Sequence, residues 1–178
     1  MTTANVNIRR LTWSAIWLAL ALVLPFLTGQ IPTVGSMLCP MHIPVLLCGF
    51  TCGWPWGVLV GFVAPPLRMV LFGMPPMMVA IPMAFELAAY GFVSGLLYKK
   101  LPKSKMNIYV TLISAMVIGR LVWGAVKFVM MGLSTSAFPL SAFIAGAVTT
   151  AIPGIILHIV LIPLIVMLLE KHKLILND

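Results

Sequence analysis

Acidic residues are nearly missing from this chain. Of 178 residues only three are Asp or Glu, namely Glu86, Glu170 and Asp178. Charged residues of both signs make up 8%, against about a quarter in an average soluble domain, so a soluble globular domain is excluded. The scarcity of carboxylates also removes most hydrolytic chemistry, because Glu86 has no second carboxylate to share acid–base work with. No His-Glu-x-x-His and no Gly-x-Ser-x-Gly occurs, so neither a zinc hydrolase nor a serine nucleophile can be placed. There is no Gly-x-x-x-x-Gly-Lys-Ser/Thr loop either, and any ATP hydrolysis must belong to other chains. Cys39, Cys48 and Cys52 do not form a metal pattern and are expected to be small apolar packing residues. No catalytic residue, metal or cofactor is assigned, and the chain is not expected to be an enzyme.

What is present in excess is apolar sequence. The chain is 62% hydrophobic with a mean hydropathy of +1.14, and apolar runs of about 20 residues recur, the length that crosses a bilayer as a helix. The expected class is an all-α integral membrane protein forming one domain over residues 1–178. Its net charge of +8 does not point to nucleic acid, because the basic residues sit in three short clusters between apolar runs. Arg9 and Arg10 precede the first run, Lys99 to Lys105 break the middle, and Lys171 and Lys173 follow the last. A nucleic-acid reader would need a soluble basic face with interleaved aromatics. The first run has no convincing small-residue cleavage site and is read as a retained helix.

The expected helices cover about residues 11–27, 43–53, 56–63, 79–98, 108–131 and 142–169. The second and third are short, and Gly53, Pro55 and Gly57 favour a break between them over a single kinked helix. The stretch APPLRMVLFGMPPMM, with two Pro-Pro pairs, is expected to be loop. Pro153 and Pro163 predict a kink in the last helix. Six crossings put all three basic clusters on one side, and the positive-inside rule makes that side cytoplasmic together with both termini. The opposite side then carries Gly-, Pro- and Met-rich loops at 28–42, 64–78 and 132–141, suited to packing as a lid.

Polar side chains inside the apolar runs are the candidate functional residues. In GRLVWGAVK, Arg120 and Lys127 lie seven residues apart (120 and 127), close to two helical turns, and share a face. Buried cations are costly in lipid and mark interior sites or pathways. Glu86 offers Arg120 a partner, and the plainest reading is a structural ion pair between two helices. Arg68, Arg120 and Lys127 nonetheless give three cations to one carboxylate, which suits an anionic solute gripped by arginine. The substrate-binding candidates are therefore Arg120, Lys127, Trp123, Arg68, Glu86 and His158. Trp123 could stack on a ring or pack in the core, His158 is more often a packed core histidine, and His42 is expected as an interfacial cap or anchor.

The ordered motifs resemble the substrate-binding S components of energy-coupling factor (ECF) vitamin transporters. Ala15-Ile-Trp-Leu-Ala19 is similar to that family's Ala-x-x-x-Ala helix. Residues 40–76, PMHIPVLLCGFTCGWPWGVLVGFVAPPLRMVLFGMPP, and MAFELAAYGFVSGLLYKK look like the region from its second helix to its fourth. The resemblance implies a six-helix bundle with an outward-facing vitamin site closed by loops. It implies docking through Ala15 and Ala19 onto a transmembrane T component driven by two cytoplasmic ATPases. Surplus positive charge leans toward a carboxylate-bearing ligand such as pantothenate or folate. The alternatives are a stand-alone secondary carrier, for which inverted repeats are not evident, and a structural or assembly protein of the membrane.

Overall fold

The computed structural model describes residues 3–28, 31, 37–132 and 152–177. They carry α1 (Thr3–Val23), α2 (His42–Cys52), α3 (Trp54–Phe72), α4 (Met77–Lys100), α5 (Lys105–Gly132) and α6 (Ile152–Lys171), with no strand among the described residues. A 3-10 turn, Leu24–Thr28, extends α1. Five stretches are long and apolar enough to cross a membrane: Asn5–Leu27, Trp54–Phe72, Met77–Lys100, Lys105–Met131 and Ile152–Lys171. The helix His42–Cys52 is shorter. The chain is an all-helical, multi-pass membrane protein, and its described helices are compatible with a six-helix bundle.

Where boundaries differ from expectation, hydropathy marks the lipid-exposed part of a helix and not its end. α1 begins at Thr3 instead of near residue 11, because backbone hydrogen bonding continues through the polar turn that holds Arg9 and Arg10. α3 corrects a larger misreading. The residues from 64 onward, expected as loop, continue the helix to Phe72, with Pro65 and Pro66 inside it. Proline's φ is already helical, and the lost N–H bonds are tolerated where neighbouring helices enclose the backbone. The helix stops at Gly73, whose φ of +70° suits glycine and whose N–H bonds to Met69 O at 2.9 Å. The second Pro-Pro pair, 75–76, lies in the turn before α4. In α6, Pro163 is interior. The expected helical residues 142–151 and most of the loop 132–141 lie outside the described residues.

α2 and α3 are separate helices, divided at Gly53 with φ of +96°. Every residue of α2 is buried, so it is a core element wrapped by the others. α4 lies directly on α2 and α3 because the contact is built from glycine. A Cβ on Gly91 would stand 2.2 Å from the Gly57 carbonyl carbon, and one on Gly57 would stand 2.7 Å from Gly91 O. Without water to drive helices together in a membrane, such close backbone contact supplies the association. It fixes α4 in depth and rotation, and with it Glu86 and Tyr90.

At one end of the bundle the residues after α6 fold back over α2 and α4. Leu176 N–H donates to Thr51 O at 2.8 Å, and Asn177 Nδ2 donates to Gly95 O at 2.9 Å and Gly49 O at 3.3 Å. Arg10 Nε of α1 donates to Leu176 O at 3.1 Å. Trp17 Nε1 donates to Thr51 Oγ1 at 2.9 Å and ties α1 to α2.

Candidate functional site

The opposite half of the bundle holds a buried polar cluster drawn from four helices. Glu86 on α4 is 2% exposed. Its Oε1 receives Arg120 Nη1 of α5 at 3.0 Å and the Tyr90 hydroxyl at 3.1 Å. Tyr90 lies one turn beyond Glu86, so the 4-residue spacing puts both on one face. His42, the first residue of α2, places Nε2 3.4 Å from the same oxygen, in ion-pair range but out of hydrogen-bonding alignment. The His158 ring of α6 stacks on His42 with centroids 6.0 Å apart, and the His42 and Tyr90 rings are 5.2 Å apart.

Local sequence explains how this cluster fits. Gly119 precedes Arg120, and a Cβ there would lie 2.0 Å from Tyr90 Cε1; the tyrosine ring is seated against bare backbone. Gly154 does the same for α6, where a Cβ would meet the Met37 carbonyl oxygen at 2.6 Å. The turn that follows Met37 brings Cys39 over the site, with φ of +47° and its Sγ accepting from Arg120 Nη2 at 3.6 Å. His42 and His158 are 2% and 3% exposed. His42 Nδ1 and Nε2 and His158 Nε2 have no hydrogen-bond partner among the described residues. Buried polar atoms are nearly always paired, so His42 Nδ1 and His158 Nε2, with His42 Nε2 facing Glu86 Oε1 at 3.4 Å, make this cluster the candidate site.

The residues expected from sequence divide in two. Glu86, Arg120 and His158 come together. Trp123 is half-buried one turn beyond Arg120 on α5. Lys127 stands farther along the same helix, where Nζ donates to Met78 O at the start of α4 at 3.2 Å. Arg68 is neither in a loop nor in the cluster. It is buried on α3, where Nη1 donates to Leu22 O of α1 and its guanidinium lies 4.7 Å from the Phe26 ring centroid and 5.3 Å from that of Phe72. This placement removes Arg68 from the cations that face Glu86. Tyr90, His42 and Cys39 are the members that sequence reasoning missed. Only Tyr90 left a signal, its 4-residue spacing from Glu86.

Among the described residues, one carboxylate is held by one guanidinium. The cluster can hold and orient a polar molecule. The family model described as "ECF transporter, substrate-specific component" matches residues 9–166, a span that takes in every member of the cluster. The chain belongs to this family. No curated protein and no solved structure matches it. Membership makes the chain the substrate-specific subunit of an ECF importer, in a family of transporter parts, and agrees with the five membrane-length helices among the described residues.

Proposed function

We propose that this subunit captures a small carboxylate-bearing micronutrient at the cluster of Glu86, Arg120, His42, Tyr90 and His158 and passes it inward with ATP-hydrolysing partners. The observation that carries the reading is the set of open ring nitrogens on His42 and His158 beside a charge pair buried in the membrane. An ion pair serving only to join α4 and α5 would not need unsatisfied histidines next to it. Arg120 keeps its second amino edge for a ligand, since among the described residues Nη2 meets a thiol sulfur, a weak acceptor. Lys127 adds a cation nearer the end of α5. Pantothenate and folate, both carboxylates, fit this charge pattern better than an uncharged vitamin does.

Orientation follows from the basic clusters. Arg9, Arg10 and the Lys99 to Lys105 turn share the end where Asn177 is bound, which the positive-inside rule makes cytoplasmic. The polar cluster then lies toward the outer face. Ala15 and Ala19 are exposed on α1 while Trp17 between them points inward. A helix face of small residues left open to lipid suits close docking of a transmembrane T component, with two cytoplasmic ATPases beneath it.

Binding and docking thus occupy different surfaces and should separate. Cells expressing the chain with a T component and two ATPases would be assayed for uptake of labelled pantothenate and folate, and the purified subunit for binding. Ala15→Trp and Ala19→Trp should abolish uptake while leaving binding within about twofold of the parent, a change under 0.5 kcal/mol. Uptake that survives tryptophan at both positions would remove α1 as the docking surface.

A further inference from the structure

The turn carrying Cys39 closes over the edge of Arg120 that Glu86 leaves unused. Arg120 gives Nη1 to Glu86 Oε1 at 3.0 Å and Nη2 to Cys39 Sγ at 3.6 Å. A guanidinium is a planar fork of five donors matched to the oxygens of a carboxylate, whereas sulfur is a weak acceptor. Replacing this sulfur with a charged oxygen strengthens the bond. The backbone favours the same exchange. Cys39 sits at φ of +47°, a left-handed conformation that costs a side-chain-bearing residue energy and persists only where surrounding contacts hold it. Those contacts are specific: the Met37 and Leu38 carbonyl oxygens occupy the space that a Cβ on Gly154 of α6 would need, and Cys39 O accepts from His42 N–H at 3.0 Å.

A second observation points to a ligand at the same place. His42 and His158, each at least 97% buried, hold three ring nitrogens without hydrogen-bond partners among the described residues. The two rings stack with centroids 6.0 Å apart, and the His42 backbone N–H donates to Cys39 O at 3.0 Å, joining them to the Cys39 turn. A molecule that reached Arg120 Nη2 would come within reach of both histidines.

We propose that Cys39 is a displaceable latch: its thiol holds the Arg120 edge that a ligand carboxylate takes over, and binding unhooks the turn from α5. The proposal rests on reading the cluster as the ligand site and adds the residue that competes with the ligand for it. Residue 39 then sets affinity inversely to its own strength as an acceptor. Alanine offers no competitor, cysteine a weak one, and serine a stronger one.

The test uses the full chain in detergent with acetate, the smallest stable carboxylate, as the probe and chloride at equal ionic strength as the control. With Cys48→Ala and Cys52→Ala leaving Cys39 as the one thiol, acetate should speed its alkylation by N-ethylmaleimide about tenfold. The acetate concentration giving half of the thermal stabilisation should fall about tenfold in Cys39→Ala and rise about tenfold in Cys39→Ser. Opposite shifts in two small substitutions are not expected of a residue that only packs. Acetate that neither speeds alkylation nor stabilises the parent protein overturns the latch. The double variant Arg120→Gln with Glu86→Gln, neutral at both positions, separates the two ideas. If it keeps the parent's stabilisation by acetate, the cluster is not the anion site and the underlying reading fails. If it loses that stabilisation while alanine, cysteine and serine at position 39 behave alike, the latch fails alone.

Discussion

The two ends of the bundle handle buried polar groups in opposite ways. At the Asn177 end most buried polar groups are paired, the Thr111 hydroxyl excepted: the Asn177 amide donates to two backbone carbonyls, Leu176 N–H reaches Thr51 O, and the Tyr98 hydroxyl donates to Glu170. At the Glu86 end one carboxylate oxygen collects Arg120 and Tyr90 while neighbouring histidine nitrogens stay open. Both regions are comparably buried, so exposure does not explain the contrast. A fully satisfied network specifies one structure, and a partly satisfied one carries a standing cost that a bound molecule can relieve. The first end has the character of scaffold, and the second is where the proposed ligand would bind.

Breaking the scaffold should have the largest effect. Gly91→Val would drive α4 off α3, because even a Cβ would stand 2.2 Å from the Gly57 carbonyl carbon. Overpacking of rigid backbone costs about 1–3 kcal/mol or more, and here no flexible side chain can yield. Monodisperse protein recovered in detergent should fall to a small fraction of the parent level.

Arg120→Ala tests the receptor end next. It leaves Glu86 charged, buried and without its strongest partner, at a cost of about 3–5 kcal/mol. Thermal unfolding in detergent should show a large loss of stability, and Glu86→Gln in the same chain should return most of it. Recovery of stability without recovery of binding would show that the pair's second duty is the ligand.

Asn177→Ala sharpens the contrast from the other side. Two backbone carbonyls lose a donor, worth about 1–3 kcal/mol of stability, while ligand affinity should stay unchanged. Lys127→Ala should do the reverse. Among the described residues its ammonium holds the Met78 carbonyl at an exposed position, so stability should move little, while affinity for a carboxylate ligand should fall by about 1.5–3 kcal/mol. Calorimetric titration and thermal unfolding on both variants give the crossed pattern.

The fold was largely legible in the sequence because lipid imposes so strong a rule. Apolar runs of membrane length must be helices, and the break at Gly53 was readable from Gly, Pro and Gly in close order. Pro65 and Pro66 misled, since a rule learned from water-exposed helices overstates what proline does inside a bundle. The site was half legible. Glu86 and Arg120 announce themselves as opposite charges in apolar runs. Arg68 shows the same signature yet serves α1, because sequence gives a charge's depth along a helix and not the direction it faces. His42 and Cys39 could not have been found this way. They reach the cluster only because α2, buried on every side, brings its first turn against α4 and α6.

The central claim is that the Glu86–Arg120 cluster holds the transported molecule, and the composition of the purified protein tests it most directly. The parent and the Glu86→Gln, Arg120→Gln double variant would be purified from the native host, checked for equal thermal stability, and extracted for mass spectrometry. A carboxylate-bearing small molecule should accompany the parent at one per chain and be lost from the double variant. The same molecule retained at the same stoichiometry in both would contradict the account.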